Sequence, residues 1–431
     1  LIRIVSKPPN GTLKLIYPPR NKCSLLLNKK GDLMKEKHII LRGSRRPAGD
    51  IFLGPLSQPG STEPVVGNVR VEVDDIDRNK ISELTRNTDV IAIAPSIPMK
   101  LIEPLSDEQP GAQPAANEVI WGIKAVGADA SPYTGEGVVV AVLDTGIDKT
   151  HPAFTGVEII EQDFTGEGNG DQNGHGTHCA GTIFGRDVDG KRIGVAPGVR
   201  RALIGKVLGQ QGGGSSEQIV RAIQWAVDSG ANVISMSLGM DFPGFVKQLQ
   251  DGGFPAELAT SRALEGYRAN VMLFERLASL IRAQGSFSQA TVIVAAAGNE
   301  SARGTDPNFE IAVSPPAVSE GIISVAALGQ GANGFTVAPF SNTGANISAP
   351  GVGIFSAKVG GGLKSLSGTS MATPHVAGVA ALWAQQIRKN GGVLSSFSLT
   401  SRLLGSATTN GLQNGLDPFD IGLGLVQAPR I

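Results

Sequence analysis

Five short runs in the later part of the chain are apolar at nearly every position. They are VVVAVL (138–143), RALIGKVL (201–208), ANVISMSL (231–238), TVIVAAAG (291–298) and IISVAAL (322–328). A strand covered on one face alternates apolar and polar residues; one covered on both faces does not. Helical periodicity marks HGTHCAGTIFG (175–185), SSEQIVRAIQWAVDSG (215–230), LSGTSMATPHVAGVAAL (366–382) and SLTSRLLGSA (398–407). Strands alternating with helices predict an α/β domain, a mainly parallel sheet between helical layers. In such sheets chemistry sits beyond the carboxyl ends of the strands. The stretch 366–382 has no charged residue, so it is either a buried helix or one that carries something to a prepared place.

Two segments break the alternation. About fifty residues separate Leu238 from Thr291, where one crossover helix would do. Leu264, Tyr267, Val271, Phe274, Ala278 and Ile281 keep a three-to-four spacing there, which predicts a long amphipathic helix laid on the domain, an insertion over about 241–290. At the other end, NVRVEVDDI reads as a strand, RNKISELTRNTD as a short helix and VIAIAPSIPMKLI as a second strand. Residues 1–60 are rich in Lys, Arg and Pro and show no confident pattern. Residues 103–118 are polar, with Pro and Gly, and read as an exposed linker. The expected organisation is a small α+β unit over 1–102, the linker 103–118 and a large domain over 119–431.

Composition narrows the function. Hydrophobic residues make up 41% of the 431 and charged residues 18%, enough for a sizeable core. Lys+Arg 38 balances Asp+Glu 38, which offers nothing for nucleic acid or an anionic membrane. No apolar run approaches the roughly 18 residues that span a bilayer. Cys23 and Cys179 fall in different segments and are expected as free thiols.

Candidate chemistry lies at the strand ends. Asp144 follows six apolar residues and precedes the turn at Gly146; alone it could be a capping Asp. His175 opens a helix between Gly174 and Gly176, with His178 three residues on; no further ligands follow, so a metal pair is rejected. Asn299 follows a strand of small residues and is either a turn residue or a neutral donor aimed into a cleft. Ser370 stands at the start of the uncharged helix, where unpaired backbone N–H groups favour negative charge. Pro374 requires that helix to begin close to Ser370. Individually each has an ordinary structural reading. Together they supply a nucleophile, a base, an orienting carboxylate and oxyanion donors for acyl transfer.

At these residues the chain resembles the subtilisin-like serine proteases. AVLDTGID, NGHGTHCAGT, SMSLG, AAAGNE and SGTSMATPHVAG match that family's blocks in its order, Asp, His, Ser. HGTHCAGT is similar to the proteinase-K-like branch. The resemblance implies Asp144, His175 and Ser370 as catalytic residues, Asn299 as oxyanion donor and Cys179 as a buried thiol beneath the histidine. It implies a protein or peptide substrate bound as an added strand along Leu208, Gly209, Gly212 and Ser237, Leu238, Gly239. Small walls at Ser237–Gly239 and Ala296, Ala297, Gly298 would favour an apolar residue before the scissile bond. No cofactor is implied for the chemistry. Structural calcium, which braces many of the family, is doubtful: Ala153 stands where the calcium-binding subtilisins carry an aspartate, and Lys191 and Arg192 compete for Asp187 and Asp189. Residues 68–102 look like the latter part of a prodomain, the protein's own intramolecular inhibitor. Processing then falls within 96–118, and export is favoured over a cytoplasmic location. The rival readings are a dedicated processing protease for one partner and a silent binding scaffold.

Overall fold

The computed structural model describes residues 35–45, 66–105, 118–285 and 289–430. Cys23 and most of 1–60 lie outside these, as do residues 106–117 of the expected linker.

The N-terminal unit comprises β1 (Glu36–Arg45), β2 (Val66–Ile76), α1 (Arg78–Leu84) and β3 (Val90–Pro95), an antiparallel sheet in the order β2-β1-β3. The central strand β1, EKHIILRGSR, carries only four consecutive apolar or His side chains in a basic run, which hid it in the sequence. The expected second strand, VIAIAPSIPMKLI, is broken. Pro95 and Pro98 bracket Ile97, whose N–H and C=O bond to Ser216 on the large domain. Beyond this point β4 (Pro98–Leu101) leaves the unit and joins a different sheet.

The large domain continues with α2 (Trp121–Ala125), β5 (Val139–Asp144), β6 (Glu158–Asp163), α3 (His175–Phe184), β7 (Arg201–Lys206), β8 (Gly213–Ser215), α4 (Ser216–Asp228), β9 (Val233–Met236) and β10 (Leu238–Met240). The inserted hairpin follows as α5 (Phe242–Asp251) and α6 (Ala256–Gly285). Then come β11 (Val292–Ala296), β12 (Ile322–Gly331), β13 (Gly334–Val337), β14 (Ile347–Pro350), β15 (Ile354–Ala357), β16 (Leu363–Leu366), α7 (Thr369–Lys389), α8 (Ser396–Gly405) and α9 (Pro418–Ile421). The main sheet runs β13-β12-β11-β9-β5-β7-β6, with β14 also on β12, and every pairing except β12–β13 is parallel. One core lies under α3 and α7, the other under α4 and α6. The five apolar runs are the inner strands, buried on both faces as their pattern requires. Edge strand β6, EIIEQD, is only half covered and carries three acids, so it escaped that pattern.

Helix α6 exists at 30 residues, and Phe274, Ala278 and Ile281 of the expected face are buried, but toward its N-terminus the inward face differs. Ala259, Ala263, Gly266, Asn270 and Leu273 face inward, whereas Leu264 is exposed. Small residues set the N-terminal half of the face because another backbone approaches there.

Candidate active site

Each candidate residue is delivered by a different element. Parallel pairing of β5 with β7 sets Asp144 opposite Lys206 at the carboxyl edge of the sheet. The chain then turns at Gly146, whose φ of 109° favours glycine and whose added Cβ would lie 2.2 Å from Gly170 O. Helix α3 starts at His175 directly above. An added Cβ on Gly176 would meet Gly146 O at 2.2 Å, so this glycine admits the Asp144 loop. His175 Nδ1–H donates to Asp144 Oδ1 at 2.8 Å, both side chains being buried. Burial lowers the basicity of His175, but the Asp144 carboxylate, with the Cys179 sulfur, outweighs it and holds its pKa well above the ordinary value.

Asp171, missed by the sequence reading, ties these pieces together. Its Oδ1 accepts from Thr145 Oγ1, Asn173 N and Gly174 N; its Oδ2 accepts from Thr177 N and Oγ1. Both ends of this network abut the Asp144–His175 pair. The only sequence cue was an Asp shortly before an Asn-Gly at a helix start.

Ser370 is the second residue of α7, which is buried almost throughout its first fourteen residues. Pro374 lies inside the helix and has no N–H for the carbonyl of Ser370. That carbonyl instead accepts from Ser237 Oγ at 3.3 Å and Cys179 Sγ at 3.4 Å. The uncharged helix is therefore both buried and cross-linked at the serine. Cys179 is fully covered, its Sγ 3.7 Å from His175 Nδ1, and burial raises its thiol pKa. His178 faces away: its Nε2–H is shared by Ile354 O and Lys364 O, and burial, aided by His175, pushes it down to about 3. Thr369 N–H and Oγ1–H both donate to Asn299 Oδ1 at 2.8 Å, which fixes the amide and aims Nδ2 outward.

The groove beside these residues is occupied by the chain itself. β4 lies between β10 and β8, antiparallel to both, with Lys100 opposite Gly239 and Gly213. Leu101 N–H donates to Gly212 O at 2.8 Å and Ile102 N–H to Ser237 O at 3.4 Å. Ser370 Oγ–H donates to Ile102 O at 2.9 Å, Asn299 Nδ2 to Glu103 O at 2.9 Å, and Leu105 bridges to Ser367. Among the described residues, the buried His175 Nε2 has no hydrogen-bond partner.

Gly212, Ser237, Leu238 and Gly239 thus line the strand. Leu208 bridges to Gly214 and is buried in the same apolar cluster as Met99 and Leu101, and an added Cβ on Gly209 would meet the Glu167 carboxylate at 2.4 Å. Ala296 and Ala297 hold β12, and Gly298 N–H holds Thr369 Oγ1. Ser215 and Ser216, which pair with Pro98 and Ile97, were not expected.

The sequence matches the Subtilase family profile over residues 135–424, well over half of the chain. The chain belongs to the subtilase family. Subtilisin DY of Bacillus licheniformis is 34% identical to this subtilase over 319 residues, 72% of this chain and 97% of that protein. Subtilisin Savinase of Lederbergia lenta is 35% identical over 307 residues, 69% and 95% of the two chains. A thermostable alkaline protease of Halalkalibacterium halodurans is 36% identical over 308 residues, 69% and 72%. The subtilase is a serine endopeptidase by this membership, and its substrates are peptides.

Calcium, which braces many subtilases, does not fit the residues at the expected place. Ala153 is buried and offers only its carbonyl, which accepts from Arg186 N. Asp187 and Asp189 are exposed. The Arg186 guanidinium donates to the carbonyls of Phe184, Pro197 and Val199. Arg192 donates to those of Ala128, Gly194 and Val195. The local carbonyls already surround two cations. Among the described residues, one group of three close ligand-type side chains occurs, Asp144, His175 and Cys179.

Proposed function

We propose that this subtilase is made as a self-processing zymogen whose Asp144, His175 and Ser370 cut peptide bonds through an acyl-enzyme. Ser370 Oγ attacks the carbonyl carbon; His175 Nε2 takes its proton and returns it to the departing amine. Asp144 holds the Nδ1–H tautomer and balances the imidazolium charge. Water then repeats the sequence on the ester. The Asn299 amide and the Ser370 N–H receive the oxyanion. The buried Cys179 supports the finer likeness to the proteinase-K-like branch.

One observation carries this reading: residues 98–102 already lie in the groove as an added strand, with Ile102 O on the Ser370 hydroxyl. Backbone pairing on both sides is the way an extended peptide is gripped. The register nominates Ile102–Glu103 as the first bond cut. Asn299 instead touches Glu103 O, one residue later. We favour Ile102 because Leu101 and Ile102 are both registered on the groove walls, and because the bond after Glu103 leads to Pro104. The Ile102 side chain packs over Gly239, 3.5 Å from where a Cβ would stand, which supports an apolar residue before the scissile bond. Until it leaves, the N-terminal unit acts as inhibitor. We assign the bracing role of calcium to Arg186.

Intact mass of wild type beside Ser370→Ala, with and without casein, tests the reading. Wild type is expected to yield a fragment starting at Glu103 and to degrade casein, and Ser370→Ala to do neither. Two full-length proteins that both spare casein would refute it.

A further inference from the structure

Cleavage at Ile102–Glu103 removes one covalent tie between the N-terminal unit and the enzyme and leaves every other contact in place. Those contacts come from two sides. On α4, Gln224 bonds both Val69 O and Val71 N of β2, and Glu217 pairs with Lys37. On the inserted hairpin the grip is more varied. Asn270, fully buried in α6, donates to Pro95 O at 2.9 Å, three residues before the strand that fills the groove. Gly266 lets α6 approach that point: an added Cβ would sit 3.0 Å from Phe245 and 3.4 Å from Pro95. Arg262 forms an ion pair with Glu36 and lies over the Phe254 ring at 5.7 Å. Arg78 pairs with Glu265 at 2.7 Å. The Arg262 pair is the more sheltered, with Arg262 17% exposed against 51% for Arg78.

A cavity of about 450 Å³ remains between the unit and the hairpin, lined by Ile81, Ile93, Phe245, Leu249 and the charged groups above. An interface with such a gap gains less from apolar packing, so its polar contacts decide its lifetime.

We propose that the α5–α6 hairpin is a retention clasp: it keeps the cleaved N-terminal unit docked and sets how long the groove stays blocked. This rests on the self-processing reading for its consequence but not for the contact itself. The partner is the protein's own residues 36–102, recognised through Glu36, Arg78 and Pro95. Retention is salt-sensitive because two of the contacts are ion pairs at the rim.

The test compares wild type, Arg262→Glu, Glu36→Arg and the double exchange in the full chain. Intact mass reads cleavage; the lag before hydrolysis of a short peptide reads release. All four are expected to cut the same bond. Arg262→Glu should shorten the lag about fivefold, as for loss of a partly sheltered pair, and the double exchange should restore it. Raising NaCl from 0.1 to 0.5 M should shorten the lag of wild type more than that of Arg262→Glu. Equal lags for wild type and Arg262→Glu would overturn the clasp. In an uncleavable Ser370→Ala background, Arg262→Glu should also raise amide exchange in β1 and β2 about fivefold. Unchanged exchange there overturns the clasp independently of whether wild type cuts itself. Absence of cleavage in wild type sinks the self-processing reading instead.

Discussion

Asp171→Asn is a nearly isosteric change with a large expected effect. Three donors address Oδ1 and two address Oδ2, and on each side at least one is a backbone N–H that cannot rotate away. An amide replaces one oxygen by NH2, so either orientation sets donor against donor. Keeping the amide oxygen on Asn173 and Gly174 leaves Thr177 N–H facing an NH2 group. The loss combines a charge-assisted hydrogen bond with a stranded buried donor, about 3–5 kcal/mol. Removing the carboxylate also withdraws a negative charge from the start of α3, worth about 0.5–1 kcal/mol. Because the network positions Thr145 and the first turn of α3, the change also loosens the Asp144–His175 pair, and a shift near 1 Å costs about 10²-fold in rate. Urea unfolding in the Ser370→Ala background reads the first effect, and kcat/KM on a short peptide reads the second. Thr145→Val removes a hydroxyl that donates to Asp171 Oδ1 and accepts from the buried Gly176 N–H at 3.0 Å, so it should cost about 2–3 kcal/mol with no change in charge. Asp171→Asn within 1 kcal/mol of wild type and within threefold in kcat/KM would refute the reasoning.

Three further outcomes are expected. Asn299→Ala should lower kcat about 10²–10³-fold with little change in KM, a magnitude known from subtilisin's own side-chain donor; an unchanged kcat would remove Asn299 from the oxyanion site. His178 and His375 are buried neutral, with burial pushing them to about 3 and about 4 from 6.5. The folded state binds fewer protons than the unfolded chain, so this stability is whole above pH 6.5 and is lost as pH falls toward those values, on the order of 3 kcal/mol each. Urea midpoints at pH 7 and 4.5 measure it, and His375→Met should make the dependence shallower. If Arg186 is the brace, a chelator should leave Tm within about 2 °C while Arg186→Met lowers it by several degrees; a large drop with chelator alone would restore a metal to that role.

The sequence by itself determined the α/β architecture and nominated the candidate catalytic residues. Strands buried on both faces are apolar at every position, and that property is local, so β5, β7, β9, β11 and β12 were legible from their own composition. The Asp, His and Ser blocks were legible because each sits where a strand or helix must end or begin. Tertiary structure alone decided which distant backbones meet. β4 reads locally as the tail of β3, yet its hydrogen bonds go to residues more than one hundred positions away. Leu264 is exposed because the approach of Pro95 and Ile97 selects a face of small residues on α6. Asp171 and Arg186 look like ordinary surface charges until five donors converge on one and three carbonyls on the other. Periodicity reports which side of an element avoids water; it carries no information about which polar group, arriving from elsewhere in the chain, will satisfy another.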